Sequence, residues 1–198
     1  MDNKIGILDF ALAYLAGPID NAADKGVEWR TYFRGKLVEL GINLVVLDPT
    51  DKLSALRPDV GAEQDTIRKF REEQDWDGLS AFVRPIVRVD LRQIDYCDIL
   101  VVYVDVDVHM CGTYDELRNA IDQKKPILAI IKGGKKRAPS WLFGILHHQY
   151  MFDTVDECIE YLDGVNKGEI ELSDRYVLIR KQVFEIMQRQ IPGGTKLC

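Results

Sequence analysis

The chain has 198 residues, 46% of them hydrophobic, and a formal net charge of −6. That is apolar material for one sizeable core, read as one domain over residues 1–198. The acidic balance excludes a general nucleic-acid binder, which carries a basic face, and no stretch approaches the roughly 18 apolar residues of a membrane span.

The four cysteines (Cys97, Cys111, Cys158 and Cys198) form no C-x-x-C pair and no zinc-like cluster with histidine. Free thiols in a reducing cytoplasm are the expectation. Asp2, Lys4 and Asp9 interrupt any signal-like run at the N-terminus. No metal and no organic cofactor is expected.

In chain order, "FALAYLAG" (10–17) is a short apolar run stopped by Gly17-Pro18, the pattern of a buried strand and a turn. Val27, Tyr32 or Phe33, Leu37 and Leu40 then recur at helical spacing, and Gly41 is a natural stop. "INLVVLDP" reads as a second buried strand. Strand, helix and strand within about 40 residues make a βαβ unit, which implies a parallel sheet.

Residues 50–82 form an insertion holding a short charged helix, "EQDTIRKFREEQDW". "FVRPIVRVDLRQIDYC" predicts a helix with Pro85 in its first turn. "DILVVYVDV" is the clearest strand. The helix of "MCGTYDELRNA" follows it. "KPILAIIK" is a fourth strand, "APSWLFGILHH" a helical turn, "QYMF" a fifth strand and "VDECIEYLDG" a helix. Residues 170–198 predict an amphipathic C-terminal helix and a tail. The alternation describes a flavodoxin-like, Rossmann-like α/β three-layer sandwich around a mostly parallel five-stranded sheet.

Ligands of such sheets bind beyond the carboxyl ends of the strands. That rule selects Gly17–Asp20, Asp48–Thr50 and Asp105–Glu116. No G-x-G-x-x-G follows the first strand and no Walker A motif is present, which argues against a dinucleotide dehydrogenase or a P-loop kinase.

Several carboxylates invite attention. Ile86, Asp90 and Ile94 are four apart and share a helix face. Asp90 therefore points inward and needs either a structural partner, such as a backbone amide, Arg88 or Arg92, or a task. Thr113 and Glu116 have the Thr-x-x-Glu spacing of a capping box. Glu116 is then either a cap or an ionised carboxylate in a first helical turn, placed at the sheet edge to attack an electrophile. Tyr14, near the end of strand one, needs a partner for its hydroxyl. Asp20 fits a turn or cap as well as a ligand contact, and His109 a solvated loop as well as a site. Asp98, at the far end of its strand, reads as a structural turn residue.

"YLAGPID", "VEWR", "LDPT", "IVRVDLRQIDYCDILVVYVDV", "CGTYDELRNAI", "KKPILAII" and "PSWL" stand in an order that resembles the nucleoside 2-deoxyribosyltransferases and their relatives, the nucleoside 5'-monophosphate N-glycosidases. The resemblance covers roughly residues 12–165. It implies a flavodoxin-like fold and a double displacement at an anomeric carbon. Glu116 matches the nucleophile, Asp90 the second carboxylate, which handles the proton and positions substrate, and Tyr14 the tyrosine that orients the nucleophile. Gly17, Pro18 and Ile19 match the loop against base and sugar, and Gly112 and Thr113 the turn beside the sugar. Asp20, Asp48, His109 and Met110 complete the expected substrate contacts.

Retaining glycosidases follow the same two-carboxylate logic. The expected partners are a nucleoside or nucleotide, a free nucleobase and further copies of the chain. Two departures stand out. Met110 occupies a position that is acidic in some of the transferases. Asp20 stands where the monophosphate hydrolases carry a basic or hydroxyl residue, and it would repel phosphate; Arg30, Arg84 or Arg88 are the candidates to offset it. Base transfer is thus the first expectation, N-glycoside hydrolysis the second, and a non-catalytic nucleotide-binding module the third.

Overall fold

The computed structural model describes residues 6–51 and 60–170; the predicted C-terminal helix lies outside the described residues. Five strands form one all-parallel sheet: β1 (Leu12–Ala16), β2 (Val45–Leu47), β3 (Ile99–Val104), β4 (Ile127–Ile131) and β5 (Met151–Phe152), in the order β2-β1-β3-β4-β5. The helices are α1 (Val27–Glu39), α2 (Val60–Glu72), α3 (Trp76–Tyr96), α4 (Cys111–Asp122), α5 (Ser140–Ile145) and α6 (Val155–Lys167). This is the flavodoxin-like strand order, with a switch between β1 and β3.

The central strands are continuous aliphatic runs because both faces of a parallel sheet are covered. Every residue of β4 is buried, as are Ile99–Val102 and Val104 of β3. Helices α3 and α4 pack together over β1 on one side, while α1 and α6 pack together on the other. At the amino edge Asp98 accepts from the Leu12 amide at 2.9 Å and returns its own amide to the Leu12 carbonyl at 2.7 Å. That fixes the β1–β3 register, in line with the structural reading of Asp98.

Four local expectations are corrected. Strand β2 is an edge strand rather than a buried one, and Val45 is 48% exposed. The inward face of α1 is Trp29, Arg30, Phe33 and Leu37, with Val27, Tyr32 and Leu40 exposed; Trp29 stacks on Tyr103 with ring centres 5.1 Å apart, and Gly41 does turn the chain out of the helix at φ 68°. Helix α3 starts nine residues before Pro85, because Asp75 caps it through the Gly78 amide at 2.8 Å. Pro85 is thus interior, where it lacks one backbone donor.

The fourth correction concerns the Thr-x-x-Glu capping box. Helix α4 begins at Cys111, with Met110 as its cap residue and no side-chain cap. Thr113 is already inside the first turn and Glu116 falls in the second. The same spacing does cap α6. The Thr154 hydroxyl accepts from the Glu157 amide at 3.1 Å, and the Glu157 carboxylate accepts from the Asp153 amide at 2.8 Å.

Core truncation should show where stability resides. Ile130→Ala, at a site 1% exposed, should cost about 2–5 kcal/mol in urea unfolding. Val38→Ala, on the outer face of α1 at 81% exposure, should change it by about 0.5 kcal/mol or less.

Candidate active site

Strand β1 runs out into the loop 17–26, and β3 runs out into the segment that starts α4. The two leave adjacent strands toward opposite faces of the sheet, which opens a crevice between them. Helices α2 and α3 wall this crevice into a cleft of about 620 Å³. Gly17, Pro18, Ile19 and Asp20 line one side, and His109, Met110, Gly112, Thr113 and Glu116 another, with Asp90 on the wall made by α3.

Behind the cleft, Tyr14 is completely buried, and its hydroxyl donates to Glu116 Oε1 at 2.7 Å. That is the usual length of an O–H···O hydrogen bond. The phenol is pushed well above its usual ionisation range, first by burial, then by the charges of Glu116 and Asp90 and the bond itself. Arg30 acts in the opposite sense. Tyr14 is therefore a fixed donor that orients one carboxylate oxygen. With Glu116 in the second turn of α4, this phenol takes the part expected of the first-turn amides.

Asp90 is half-buried, and the stripe predicted for it exists. Ile94 is sealed in the core, while Ile86 and Asp90 turn into the cleft. The stripe continues upstream through Val83 to Leu79, which lies ahead of the helix start expected around Pro85.

Gly17 needs to be glycine. A Cβ there would lie 2.9 Å from the Trp29 ring and 3.3 Å from Arg30 Nη2. Gly112 faces open space, with nothing within 4 Å of an added Cβ. Met110 is buried and receives the Asp105 amide on its sulfur at 3.3 Å. His109 is exposed, and its carbonyl accepts from Asn21 at 3.3 Å.

Asp48 is not among the cleft-lining residues. It closes the end of β2 by accepting from the amide and hydroxyl of Thr50, at 2.8 and 2.7 Å, and lies 3.6 Å from Arg30 Nε and 3.5 Å from Arg34 Nη1. These contacts occupy its carboxylate beside the cleft, whose lining takes in the next residue, Pro49. Of the three arginines considered for phosphate, Arg30 is fully buried on backbone carbonyls, and neither Arg84 nor Arg88 lines the cleft.

Helix α2, from the insertion, supplies what the sequence did not reveal. Glu63, Gln64, Ile67 and Arg71 line the cleft, and Gln64 reaches across to Asp20 at 2.6 Å. Among the described residues four carboxylates (Asp20, Glu63, Asp90 and Glu116) and one arginine (Arg71) thus face the cavity. Among the described residues no cluster of three or more metal-ligating side chains is suited to a metal ion, and no helix is long and apolar enough to cross a membrane.

A search of solved structures finds this architecture elsewhere. The 2-deoxyribosyltransferase of Bacillus psychrosaccharolyticus superposes with a TM-score of 0.53 over 76% of this chain and 92% of its own, at 19% identity. The chain shares the fold of a 2-deoxyribosyltransferase. A CMP N-glycosidase from Clostridium botulinum matches at TM-score 0.39 and 16% identity, over 77% of this chain and 98% of its own. A conserved protein from Enterococcus faecalis V583 matches at 0.45 and 14%, over 81% and 99%. No protein-family model and no curated protein matches the sequence.

The buried phenol generates a pH signature. An unfolded tyrosine ionises near pH 10, whereas native Tyr14 keeps its proton to higher pH. Its contribution to stability is therefore fully present below about pH 10 and is lost as pH rises toward the native value. Unfolding free energy should fall more steeply above about pH 10 in the parent than in Tyr14→Phe, as measured by urea titration at stepped pH.

Proposed function

We propose that this chain is a nucleoside deoxyribosyltransferase acting on unphosphorylated 2'-deoxynucleosides. The observation that carries the reading is the Tyr14–Glu116 hydrogen bond at 2.7 Å, with Glu116 exposed to a cleft that Asp90 also lines. An oriented carboxylate beside a second one is the residue set that splits a glycosidic bond in two displacements.

In the first displacement a Glu116 oxygen bonds to C1' as the C1'–N bond breaks, and the electron pair leaves with the base. Asp90 delivers the proton that the departing base takes up, either directly or through water. The product is a deoxyribosyl ester of Glu116. In the second, the nitrogen of an acceptor base attacks C1', the ester C–O bond breaks, and Asp90 recovers the proton. Glu116 returns to its ionised form. The Tyr14 hydroxyl donates to Oε1, which fixes the carboxylate so that the attacking oxygen keeps one direction throughout.

The charge of the cleft supports an unphosphorylated substrate. A phosphate brings about two negative charges near pH 7, into a space that the described residues line with four carboxylates and one arginine. The second reading, hydrolysis with water as acceptor, uses the same first step and differs only in what attacks the ester.

Product analysis separates the two: a deoxynucleoside incubated with a different free base should give a new nucleoside, and little free sugar without the base. Free deoxyribose at the same rate in both incubations would instead establish hydrolysis. Glu116→Gln should abolish turnover and the covalent sugar adduct seen by mass spectrometry of quenched parent protein. Asp90→Asn should keep the fold and slow cleavage by about 10²–10⁴-fold; an unchanged rate would make Asp90 structural.

A further inference from the structure

A loop that holds a small substrate needs a rigid support. Residues 17–26 lead from β1 to α1 and contribute Gly17, Pro18, Ile19 and Asp20 to the cleft. Strand pairing stops at Ala16. Within the loop the backbone bonds are two turns, Ala22 to Ile19 and Lys25 to Ala22, at 3.3 and 3.1 Å. The chain then doubles back through Lys25 and Gly26, both at positive φ.

Arg30 lies under this loop with no solvent exposure. Its Nε donates to the Leu15 carbonyl at 3.1 Å, Nη2 to the Gly17 carbonyl at 3.0 Å and Nη1 to the Gly26 carbonyl at 2.7 Å. One planar fork therefore joins the first residue of the loop to its last. Glycine at both positions makes this approach feasible, since a Cβ on Gly17 or Gly26 would press on the guanidinium. The ring of Trp29 covers the guanidinium at 4.7 Å, and Asp48 lies 3.6 Å from Nε.

A helix needs no buried guanidinium to pack on a sheet, and desolvating one is costly. Its position explains its presence. Leu15, whose carbonyl takes Nε, follows Tyr14, and the charges of Arg30, Tyr14 and Glu116 act on one another. Besides Tyr14 from β1, the described groups that share the cleft with Glu116 are Asp90 from α3, Asp20 from the loop, Glu63 and the single cation Arg71 from α2, and His109 ahead of α4. That surrounding is predominantly acidic, so a fixed cation behind it favours an ionised Glu116.

We propose that Arg30 is a positioning residue of this site: it clamps both ends of the 17–26 loop and supplies the fixed positive charge behind the Tyr14–Glu116 pair. The inference rests on the reading of the cleft as a nucleoside site. It places the determinant of loop geometry on α1, outside the cleft itself.

Two variants of the full chain, Arg30→Lys and Arg30→Met, test it by hydrogen exchange and by kcat and KM for deoxynucleoside cleavage across pH. Arg30→Lys keeps the charge and loses the fork. It should speed amide exchange in residues 17–26 by about tenfold, with the sheet unchanged. It should raise KM by about tenfold while leaving the acid limb of the pH–rate profile in place. Arg30→Met should add a displacement of that acid limb to higher pH. The proposal is overturned if Arg30→Lys leaves loop exchange and KM within twofold of the parent, or if exchange rises equally throughout the sheet. It is also overturned if folded Arg30→Met keeps the parental acid limb. Should Arg30→Met fail to fold, Arg30→Lys alone decides. A parent that cleaves no nucleoside defeats the catalytic reading, and loop exchange still decides the clamp.

Discussion

A phenol sealed inside a protein must find an acceptor, and Tyr14 finds it 102 residues away in sequence, on Glu116. That single bond ties β1 to α4 at the edge where the sheet opens. It sets the rotation of α4 about its axis, since the helix must present Glu116 to the strand while burying Thr113, Leu117 and Ala120. It also links burial to chemistry: the acceptor that satisfies the tyrosine is the carboxylate facing the cleft. Displacing α4 would leave a polar group unsatisfied in the core, which protein interiors avoid.

The strands were legible because a parallel sheet writes itself as continuous aliphatic runs, and the predicted strand segments enclose the observed ones. Helix boundaries were less legible, for reasons that can be named. Thr113-x-x-Glu116 and Thr154-x-x-Glu157 share one spacing, yet only the second is a cap. Spacing records which residues could bond to one another, and tertiary packing decides where the chain starts to coil. Thr113 is buried against the core and Thr154 stands in extended backbone at φ −138°. Pro85 misled in a similar way, because the Asp75 cap upstream was a stronger signal than the proline. On α1 an arginine turned inward, and no hydrophobic pattern announces a charged side chain destined for the interior.

Most of the candidate site was also within reach of the sequence, because ten of the expected residues line the cleft, nine on connections that the strand-end rule selects and Asp90 on its helical stripe. What the sequence withheld was distance. The approach of α2 and the Gln64–Asp20 bond depend on how an insertion folds back over the sheet, which no local pattern encodes. The same insertion brings both an acidic residue, Glu63, and a basic one, Arg71, to the cleft. The shared fold with a 2-deoxyribosyltransferase leaves this wall unspecified, so the chemistry of the cavity belongs to this chain.

The ends of the sheet have a bearing on how copies of the protein meet. Strand β2 has three residues and β5 two. Edges so short present few unpaired amides and carbonyls to another chain, a recognised protection against sheet extension and aggregation. Contact through backbone ladders is thereby disfavoured. Among the described residues most of the large apolar side chains left in solvent lie instead on helices, with Val38 on α1, Trp76 on α3 and Trp141 on α5 each more than half exposed. Single substitutions at these helical positions would thus alter the apolar surface of the described residues while leaving the sheet untouched.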